Sequence, residues 1–259
     1  MVIAIIGVLA SIVLVSYSGY ADKARIAKTP SWAGSINHSL GDRAVGVWSF
    51  DNINGATVYD DSGNNNTGTA YGSPAVADGV VGKALQFDGV NDYVDAGNPA
   101  SLQITGSLSI ATWIKTTDTS GRIIGKYEAT DSKIAYVFNV SGVPYLGVSD
   151  NGNNLSYRLL SGNALDNQWH HIVGVFNASA QTISMYLDGV LSQGTLGGTI
   201  PASIYNCAGN VKMGYDYGGN GYLNGLIDDA RIFSAALTQA QIQQYYAAGL
   251  PTHQNLATR

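Results

Sequence analysis

The sequence predicts a mainly β fold, a two-sheet antiparallel jelly-roll sandwich with a long N-terminal hydrophobic α-helix and a short C-terminal helix. Three observations support this prediction. Residues 1–21 carry no charge, short segments of alternating polarity recur after Gly41, and turn-forming residues separate those segments. Charged residues make up only 12% of the 259 residues, which is about half the share usual in soluble domains.

The uncharged segment 1–21 is long enough to cross a membrane as a helix. At about 1.5 Å per residue it would reach about 30 Å, the thickness of one bilayer core. A cleaved signal peptide is one alternative because residues 19–21 would pass as a cleavage site, although no positively charged region precedes them. A buried helix of a soluble protein is the other alternative. Apolar residues at four-residue spacing extend the predicted helix to Leu40, with a bend or break near Pro30.

Residues 2–28 resemble the N-terminal helix of bacterial type IV pilins and type II secretion pseudopilins. The resemblance implies that the helix anchors the chain in the inner membrane and then packs with identical subunits in a filament core. The family's peptidase site and its glutamate would have to precede Met1. We therefore expect residues 1–41 to be a membrane anchor or filament core, and residues 42–259 to be displayed at the cell envelope, on an extracellular filament or the cell surface.

Four segments of the second part alternate in polarity, as half-buried strands do. They are Val45–Phe50, Ser109–Ile114, His171–Phe176 and Ile183–Leu187. The last two form a predicted hairpin around residues 177–181. Asp-Gly and Asn-Gly turn signals recur along the chain, and no periodic segment of helical length occurs before Leu237. Many short strands at this spacing favour an antiparallel sandwich or jelly roll over a doubly wound α/β fold.

The C-terminal segment carries the signals of one helix. Thr238 and Gln241 have the spacing of a capping box, in which each side chain bonds the backbone N–H of the other residue. Gly249 is a candidate C-cap, and Pro251 follows it. These signals predict a short helix that begins after Thr238 and ends at Gly249.

Net charge limits the possible partners, and the cysteine content limits the possible disulfides. The formal net charge is −5, which argues against a nucleic-acid partner. Cys207 is the single cysteine of the chain, so no internal disulfide can form.

Several motifs in chain order resemble laminin-G-like (concanavalin A-like) jelly-roll domains. They are Gly46–Asp51, Asp61–Asn64, Gly82–Gly89, Asn91–Val94, Trp169–Val173, Leu187–Val190 and Gly225–Phe233. The resemblance spans nearly all of residues 43 to 249. It implies a two-sheet sandwich of a kind that often binds carbohydrate or protein, commonly with a structural calcium ion.

The acidic residues give no sign of glycoside hydrolysis. Glu128 is the only glutamate among the 18 acidic residues, and the other 17 are aspartates, mostly beside turn-forming residues. Glycosidases need two opposed carboxylates at a defined separation, and related hydrolases of this fold use closely spaced glutamates on one strand. Since no such pair occurs in this sequence, we expect a protein without enzymatic activity.

Asp228 is a candidate ligand of a structural Ca²⁺ ion. Alternation along its strand places it on the face that carries Ala230 and Ile232, and a carboxylate on a core face must be paired, hydrogen-bonded or bound to metal. The resemblance implies a calcium site formed by Asp228 with Asp51 and oxygens near Asn64, since calcium binds six to eight oxygens. The alternative is that Asp228 accepts backbone N–H bonds from a neighbouring turn.

The glycine-rich segment 214–222 is the candidate ligand-binding loop. It combines flat apolar rings with hydrogen-bonding groups, which together suit the surface of a sugar ring. The candidate residues are Tyr215, Asp216, Tyr217, Asn220 and Tyr222. The alternative is a glycine-rich turn whose tyrosines cap the end of the sandwich.

The sequence therefore predicts a pilin-like filament subunit, or a membrane-anchored protein, that presents a jelly-roll module for adhesion. The expected partners are the membrane, identical subunits, and a glycan or a surface protein. Two alternatives remain open at this point: a glycan-degrading hydrolase tethered to the envelope, and a major pilin with a purely structural role.

Overall fold

Two antiparallel sheets packed face to face make up the domain, which confirms the predicted mainly β sandwich. The computed structural model describes residues 44–128, 131–215 and 221–256, with the backbone alone for 251–256. The predicted N-terminal helix lies outside the described residues. Among the described residues, no helix has both the length and the apolar composition that a membrane crossing requires.

The first sheet has eight strands in the described part of the chain, numbered here along the sequence. Their spatial order is β15 (Val190–Leu191), β14 (Thr182–Leu187), β13 (His170–Asn177), β8 (Leu108–Thr116), β18 (Asn224–Phe233), β6 (Lys83–Asp88) and β5 (Ala75–Asp78). Strand β1 (Ala44–Trp48) also pairs with β18. We call this the eight-stranded sheet.

The second sheet has ten strands in the same described ranges, and we call it the ten-stranded sheet. Its order is β16 (Gln193–Gly197), β12 (Ser156–Leu160), β11 (Val143–Val148), β10 (Lys133–Ser141), β9 (Arg122–Glu128), β17 (Val211–Met213), β7 (Tyr93–Asp95), β4 (Gly68–Tyr71), β3 (Thr57–Val58) and β2 (Ile53–Asn54). A short 3₁₀ helix, Ala100–Leu102, follows β7 in the sequence.

The hydrophobic core lies between the two sheets and is rich in large aromatic side chains. Trp48, Phe87, Phe138 and Phe176 are all inaccessible to solvent. The indole Nε1 of Trp48 donates a hydrogen bond of 3.0 Å to the backbone oxygen of Asn66, so the one polar atom of this ring is satisfied inside the core. The predicted strand that contains Trp48 corresponds to β1, whose burial alternates residue by residue.

The predicted hairpin between β13 and β14 is confirmed. The two strands pair antiparallel, with Phe176 opposite Ile183. Strand β14 then turns into β15 through Asp188 and Gly189, which have φ values of +51° and +77°. Two successive residues with positive φ are typical of a type I′ turn, and an Asp-Gly pair adopts that turn readily.

A β-bulge in β18 corrects the predicted orientation of Asp228. The pairing of β18 with β8 shifts between Asp228 and Arg231, and Asp229 takes a positive φ of +48°. Because the bulge breaks the two-residue alternation, Ile227, Ala230 and Ile232 all join the core, while Asp228 lies on the opposite face of the sheet. The prediction that Asp228 shares a face with Ala230 and Ile232 is therefore wrong.

Helix α1 (Gln239–Leu256) lies against the outer face of the eight-stranded sheet. The predicted capping box is confirmed, because Thr238 N donates to Gln241 Oε1 at 2.8 Å and Gln241 N donates to Thr238 Oγ1 at 3.3 Å. The Tyr246 ring stacks on Trp113, with centroids 5.6 Å apart. This contact joins the helix to strand β8.

The predicted end of the helix at Gly249 is wrong, since α1 continues through Gly249 and Pro251 to Leu256. Gly249 does not adopt the left-handed conformation of a C-cap glycine. Its place in the helix is explained by packing instead. A Cβ atom at this position would lie 2.6 Å from Trp113 Cζ2, so only glycine lets the helix approach the indole ring this closely.

Gly249→Ala should destabilise the domain although alanine is the better helix former. The gain in helix propensity is about 1 kcal/mol, and overpacking against Trp113 costs about 1–3 kcal/mol. We expect a melting temperature several degrees lower in a thermal unfolding experiment. The control is Gly106→Ala, because a Cβ at Gly106 meets no atom within 4 Å. An equal melting temperature for the two variants would contradict the packing argument.

Candidate functional site

Tyrosine side chains form a cluster on the outer face of the ten-stranded sheet. Tyr71 on β4 lies directly opposite Tyr93 on β7, and their rings stack with centroids 4.6 Å apart and an interplanar angle of 9°. Val94, the next residue along β7, is completely buried in the core. Because successive side chains of a strand point to opposite faces, Tyr93 faces outward. Tyr71 is 45% exposed and presents its ring to solvent.

Three further tyrosines join this pair. Tyr215 and Tyr222 lie with their ring centroids 4.8 Å and 6.4 Å from that of Tyr93, and the two rings meet edge to face at 5.4 Å. The Tyr127 ring lies 6.2 Å from that of Tyr215, and its hydroxyl donates a 2.8 Å hydrogen bond to the Tyr215 backbone oxygen. We call Tyr71, Tyr93, Tyr127, Tyr215 and Tyr222 the tyrosine cluster.

A lysine on β17 holds the cluster together. The Lys212 Nζ atom lies 4.1 Å from the ring centroid of Tyr215 and 5.1 Å from that of Tyr93, within the range of cation–π attraction. Lys212 also pairs with Asp95 at 3.6 Å, so its charge is balanced locally. Burial raises the pKa of the Tyr93 hydroxyl, which therefore stays protonated and can donate a hydrogen bond at neutral pH.

A polar cleft of about 400 Å³ adjoins the tyrosine cluster. It is lined by Asp88, Gly89, Thr117, Asp118, Thr119, Ser120, Tyr222 and Asn224. Tyr222 belongs to both the cleft and the tyrosine cluster. The aromatic rings of the tyrosine cluster and the hydroxyl, amide and carboxylate groups of the polar cleft therefore meet at Tyr222.

Backbone hydrogen bonds hold the two carboxylates of the polar cleft in place. Asp118 accepts bonds of 2.9 Å from the backbone N–H groups of Ser120 and Asn224. Asp88 accepts bonds from Val90 and Asn91, and the first of these is the main cause of a pKa for Asp88 below its usual range. The ionised carboxylate of Asp88 can accept further hydrogen bonds but has no proton to give.

The structure brings together two of the five predicted ligand-binding residues. Tyr215 and Tyr222 meet in the tyrosine cluster, whereas Asp216, Tyr217 and Asn220 lie outside the described residues. Sequence reasoning missed a larger set, namely Tyr71, Tyr93, Tyr127, Lys212, Asp88, Asp118 and Asn224. Alternation around the buried Val94 could have placed Tyr93 outside, but its contact with Tyr71 depends on pairing between strands distant in sequence.

Asp228, the predicted calcium ligand, is part of β18, and its side chain reaches the turn between β5 and β6. Its Oδ2 atom accepts hydrogen bonds from the backbone N–H groups of Val80 at 2.6 Å and Val81 at 2.9 Å. This is the arrangement expected in the alternative to metal binding. The side chain is fully buried, and its Oδ1 atom has no hydrogen-bond partner. Burial, reinforced by the nearby Asp229 charge, raises the pKa of Asp228 to about 8.

Of the other two predicted calcium ligands, one lies near Asp228 and the other does not. Asp51 reaches the same turn as Asp228, because its Oδ1 accepts the backbone N–H of Lys83 at 2.6 Å. The Asn64 amide instead donates to the backbone oxygen of Ala44, at the opposite end of β1. Within the part of the chain that the structure describes, no three His, Cys, Asp or Glu residues form a group that could hold a metal ion.

Several solved structures share this architecture. Domain 4 of AbnA, a GH43 extracellular arabinanase from Geobacillus stearothermophilus solved with arabinotriose, is 20% identical with a TM-score of 0.61. The match covers 78% of this chain and 97% of that domain. The binding domain of botulinum neurotoxin DC, solved with rat synaptotagmin II, is 15% identical with a TM-score of 0.63, and the match covers 81% of this chain and 52% of that domain.

The binding domain of Paraclostridial Mosquitocidal Protein 1 is similar to the same degree, with 16% identity and a TM-score of 0.61. The match covers 80% of this chain and 52% of that domain, so this chain spans about half the length of the toxin domains. At these identities the likeness establishes the fold alone. No curated protein matches the chain.

A family comparison agrees with the fold. The family described as the concanavalin A-like lectin/glucanases superfamily matches residues 88–243. This segment begins at Asp88 in the polar cleft and ends within helix α1, and it makes up more than half of the chain. The resemblance to laminin-G-like jelly rolls is thus confirmed, and the chain belongs to the concanavalin A-like lectin/glucanases superfamily.

Proposed function

We propose that this domain is a carbohydrate-binding module for adhesion, and that its site is the tyrosine cluster with the polar cleft. The observation that carries this proposal is the position of Tyr222, which belongs to both. A sugar ring has an apolar face of C–H groups and a rim of hydroxyls. It could therefore stack on the tyrosines while its hydroxyls bond to the cleft.

The charges of the cleft favour a neutral glycan. Among the residues that the structure describes, Asp88 and Asp118 are the charged ones that line it, and an ionised carboxylate accepts hydrogen bonds from sugar hydroxyls. An acidic sugar would instead be repelled. The arabinanase domain, which was solved with arabinotriose, supports this choice by analogy, because the match covers almost that entire domain. The toxin domains are a weaker guide, since about half of their length has no counterpart here.

We propose binding rather than catalysis at the cleft. Hydrolysis of a glycosidic bond needs one carboxylic acid that keeps its proton near neutral pH, beside a second carboxylate. The backbone hydrogen bonds to Asp88 lower its pKa, which is the opposite of what a general acid requires. Asp228 has a raised pKa, but it is fully buried under the turn between β5 and β6 and has no access to the cleft.

The pilin-like resemblance of residues 2–28 suggests how the module would be displayed. In this proposal the N-terminal segment holds the chain in the inner membrane and then among identical subunits of a filament at the cell surface. Repetition of a weak site along a filament can raise adhesion by about 10²–10⁴-fold when the spacing permits. A filament would therefore suit a module whose single site binds weakly.

A structural Ca²⁺ ion at Asp228 is a further part of the proposal. The buried Oδ1 atom without a partner is the observation that fits a cation, and Asp51 approaches the same turn. Asn64 does not fit, because it lies at the other end of β1. Any remaining ligands would have to be backbone oxygens or water, which calcium accepts.

Removal of a cluster ring should weaken glycan binding. Stacking on one aromatic ring is worth about 0.5–1.5 kcal/mol, so Tyr71→Ala or Tyr222→Ala should each raise the Kd about 2- to 12-fold. The measurement is a neutral glycan array probed with multimerised protein, followed by calorimetry on the best ligand. The control is Tyr59→Ala, which removes an exposed tyrosine outside the cluster. Equal binding by all variants would exclude the cluster, and no binding by the wild type would favour a purely structural role.

Asp228 should make stability fall with rising pH when calcium is chelated. The folded state keeps its proton up to a pKa of about 8, whereas the unfolded chain loses it near pH 4. Between these values the unfolded state binds fewer protons at this group, so its contribution to the free energy of unfolding decreases as the pH rises and levels off above pH 8. Buried His171, whose pKa is lowered to about 4, acts in the opposite direction up to about pH 6.5, so the net fall is expected between about pH 6.5 and 8. Asp228→Asn should remove this dependence in thermal melts recorded from pH 4 to 9.

Added calcium would act on the same melts. A site filled at a hundred times its Kd stabilises by about 2.7 kcal/mol, so calcium should raise the melting temperature of the wild type near pH 7 but not that of Asp228→Asn. A wild-type melt that responds to neither calcium nor chelator would leave Asp228 as a protonated hydrogen-bonded carboxyl.

The display proposal has its own test. If residues 1–41 form a membrane anchor or filament core, the full chain should need detergent or be found in a polymer, and residues 42–259 should be soluble alone. Fractionation of cells that express each form, followed by electron microscopy of the surface, measures this. A monomeric full chain that stays soluble in plain buffer would contradict the display proposal without affecting the glycan site.

A further inference from the structure

A second cleft, of about 330 Å³, opens on the outer face of the ten-stranded sheet, on strands β10, β11 and β12. Within the described part of the chain its lining is mostly apolar and uncharged: Ser141, Tyr145, Leu155, Tyr157 and Leu159. We call it the apolar cleft. Its volume lies at the lower end of the range for small-ligand sites, about 300–1,000 Å³.

A glycine on the neighbouring strand shapes the apolar cleft. Gly197 on β16 pairs with Tyr157 on β12, and a Cβ at Gly197 would overlap the Tyr157 ring, so this ring lies flat on the sheet. The Tyr145 ring meets the Tyr157 ring at an angle of 67°, with centroids 5.8 Å apart. One ring therefore forms the floor of the cleft and the other forms a wall, an arrangement that suits a flat, uncharged ring.

An unbroken series of contacts connects the apolar cleft to the tyrosine cluster. The Arg122 guanidinium lies over the Tyr127 ring, 5.3 Å from its centroid. The Asn139 amide is placed in the orientation that satisfies both its oxygen and its nitrogen. In this orientation the oxygen accepts hydrogen bonds from Arg122 at 2.9 Å and from the Tyr145 hydroxyl at 3.2 Å. These residues lie opposite one another on β9, β10 and β11, so they form a row across the sheet.

The strand order gives the length of this row. Five strand spacings separate β12, which carries Tyr157, from β7, which carries Tyr93. At about 4.8 Å per spacing, the two ends are about 24 Å apart. This is longer than one sugar ring needs, and the Arg122 guanidinium, held by the buried Asn139 amide, lies between the two aromatic ends.

We infer that the apolar cleft is a second subsite for the same ligand, and that the domain binds an extended neutral glycan chain along the sheet rather than a single terminal sugar. This inference rests on the proposed function. One unit of the chain stacks on the tyrosine cluster, and a distant unit stacks on Tyr157. The units between them face the half-buried Arg122, whose guanidinium can donate hydrogen bonds to hydroxyl groups.

The experiment compares neutral oligosaccharides of increasing length, with arabinan, xylan and β-glucan series from three to ten units as probes. Full-length protein in detergent is titrated by calorimetry. Two linked subsites should make the longest chain of the recognised series bind about 100-fold more tightly than its trisaccharide. Tyr157→Ala should bring the affinity for the longest chain down to the trisaccharide level, and Tyr222→Ala should weaken binding at every length.

Two control variants keep this result interpretable. Tyr157→Phe retains the ring and should keep the dependence on length, which separates the loss of stacking from misfolding. Leu191→Ala removes an exposed apolar side chain on the eight-stranded sheet and should behave as the wild type. Melting temperatures of all variants are recorded in parallel.

The outcomes distinguish the two proposals. Binding that does not increase with length, or an increase that survives Tyr157→Ala, would overturn the second subsite and leave the carbohydrate site in place. Failure of the wild type to bind any probe would overturn both. A wild-type protein that binds no glycan but binds an apolar peptide, with that binding lost in Tyr157→Ala, would also overturn the inference. The apolar cleft would then be a protein-binding site.

Discussion

Each strand of the sandwich must bury one row of side chains between the sheets and leave the other row outside, and the rest of the structure depends on this constraint. On β7 it buries Val94 and turns Tyr93 and Asp95 outward. On β17 it buries Val211 and Met213 and leaves Lys212 beside Asp95. The outer rows of neighbouring strands then meet in register, which is how residues distant in sequence form one surface.

The two outer faces are used differently. Helix α1 covers part of the eight-stranded sheet, where His171 packs between Trp113 and Tyr246 and burial lowers its pKa to about 4. On the same sheet Arg231 pairs with Asp229 and lies over the Tyr245 ring. These polar groups are used to hold the helix. The ten-stranded sheet keeps rings and hydrogen-bonding groups accessible, so its outer face is the better place for a ligand.

Local sequence patterns were enough for much of the fold. Alternation identified β1, β8, β13 and β14, and the spacing of Thr238 and Gln241 identified the start of the helix, because these signals depend on neighbouring residues. The helix end was missed because contact with Trp113, far away in sequence, decides the role of Gly249. The bulge at Asp229 was missed because its sequence carries no glycine to mark a positive φ.

The candidate site was predictable only in part for the same reason. Composition pointed to Tyr215 and Tyr222, but Tyr71 and Tyr93 stand 22 positions apart and meet only through the pairing of β4 with β7. The carboxylates of the polar cleft looked like ordinary turn residues, and Asp88 and Asp118 do accept turn N–H groups. The role proposed for them depends on the fold, which places both beside Tyr222.

Because the candidate site is built on strands, its side chains are held rigidly. Tyr93 is held between the Tyr71 and Tyr215 rings, Lys212 lies against two rings, and backbone N–H groups hold both cleft carboxylates. A ligand would therefore order few side chains on binding, which saves about 0.5–1.5 kcal/mol for each one. Each stacking contact still contributes little, so a rigid surface of this kind gains affinity chiefly by engaging several units of one chain or several copies of the module.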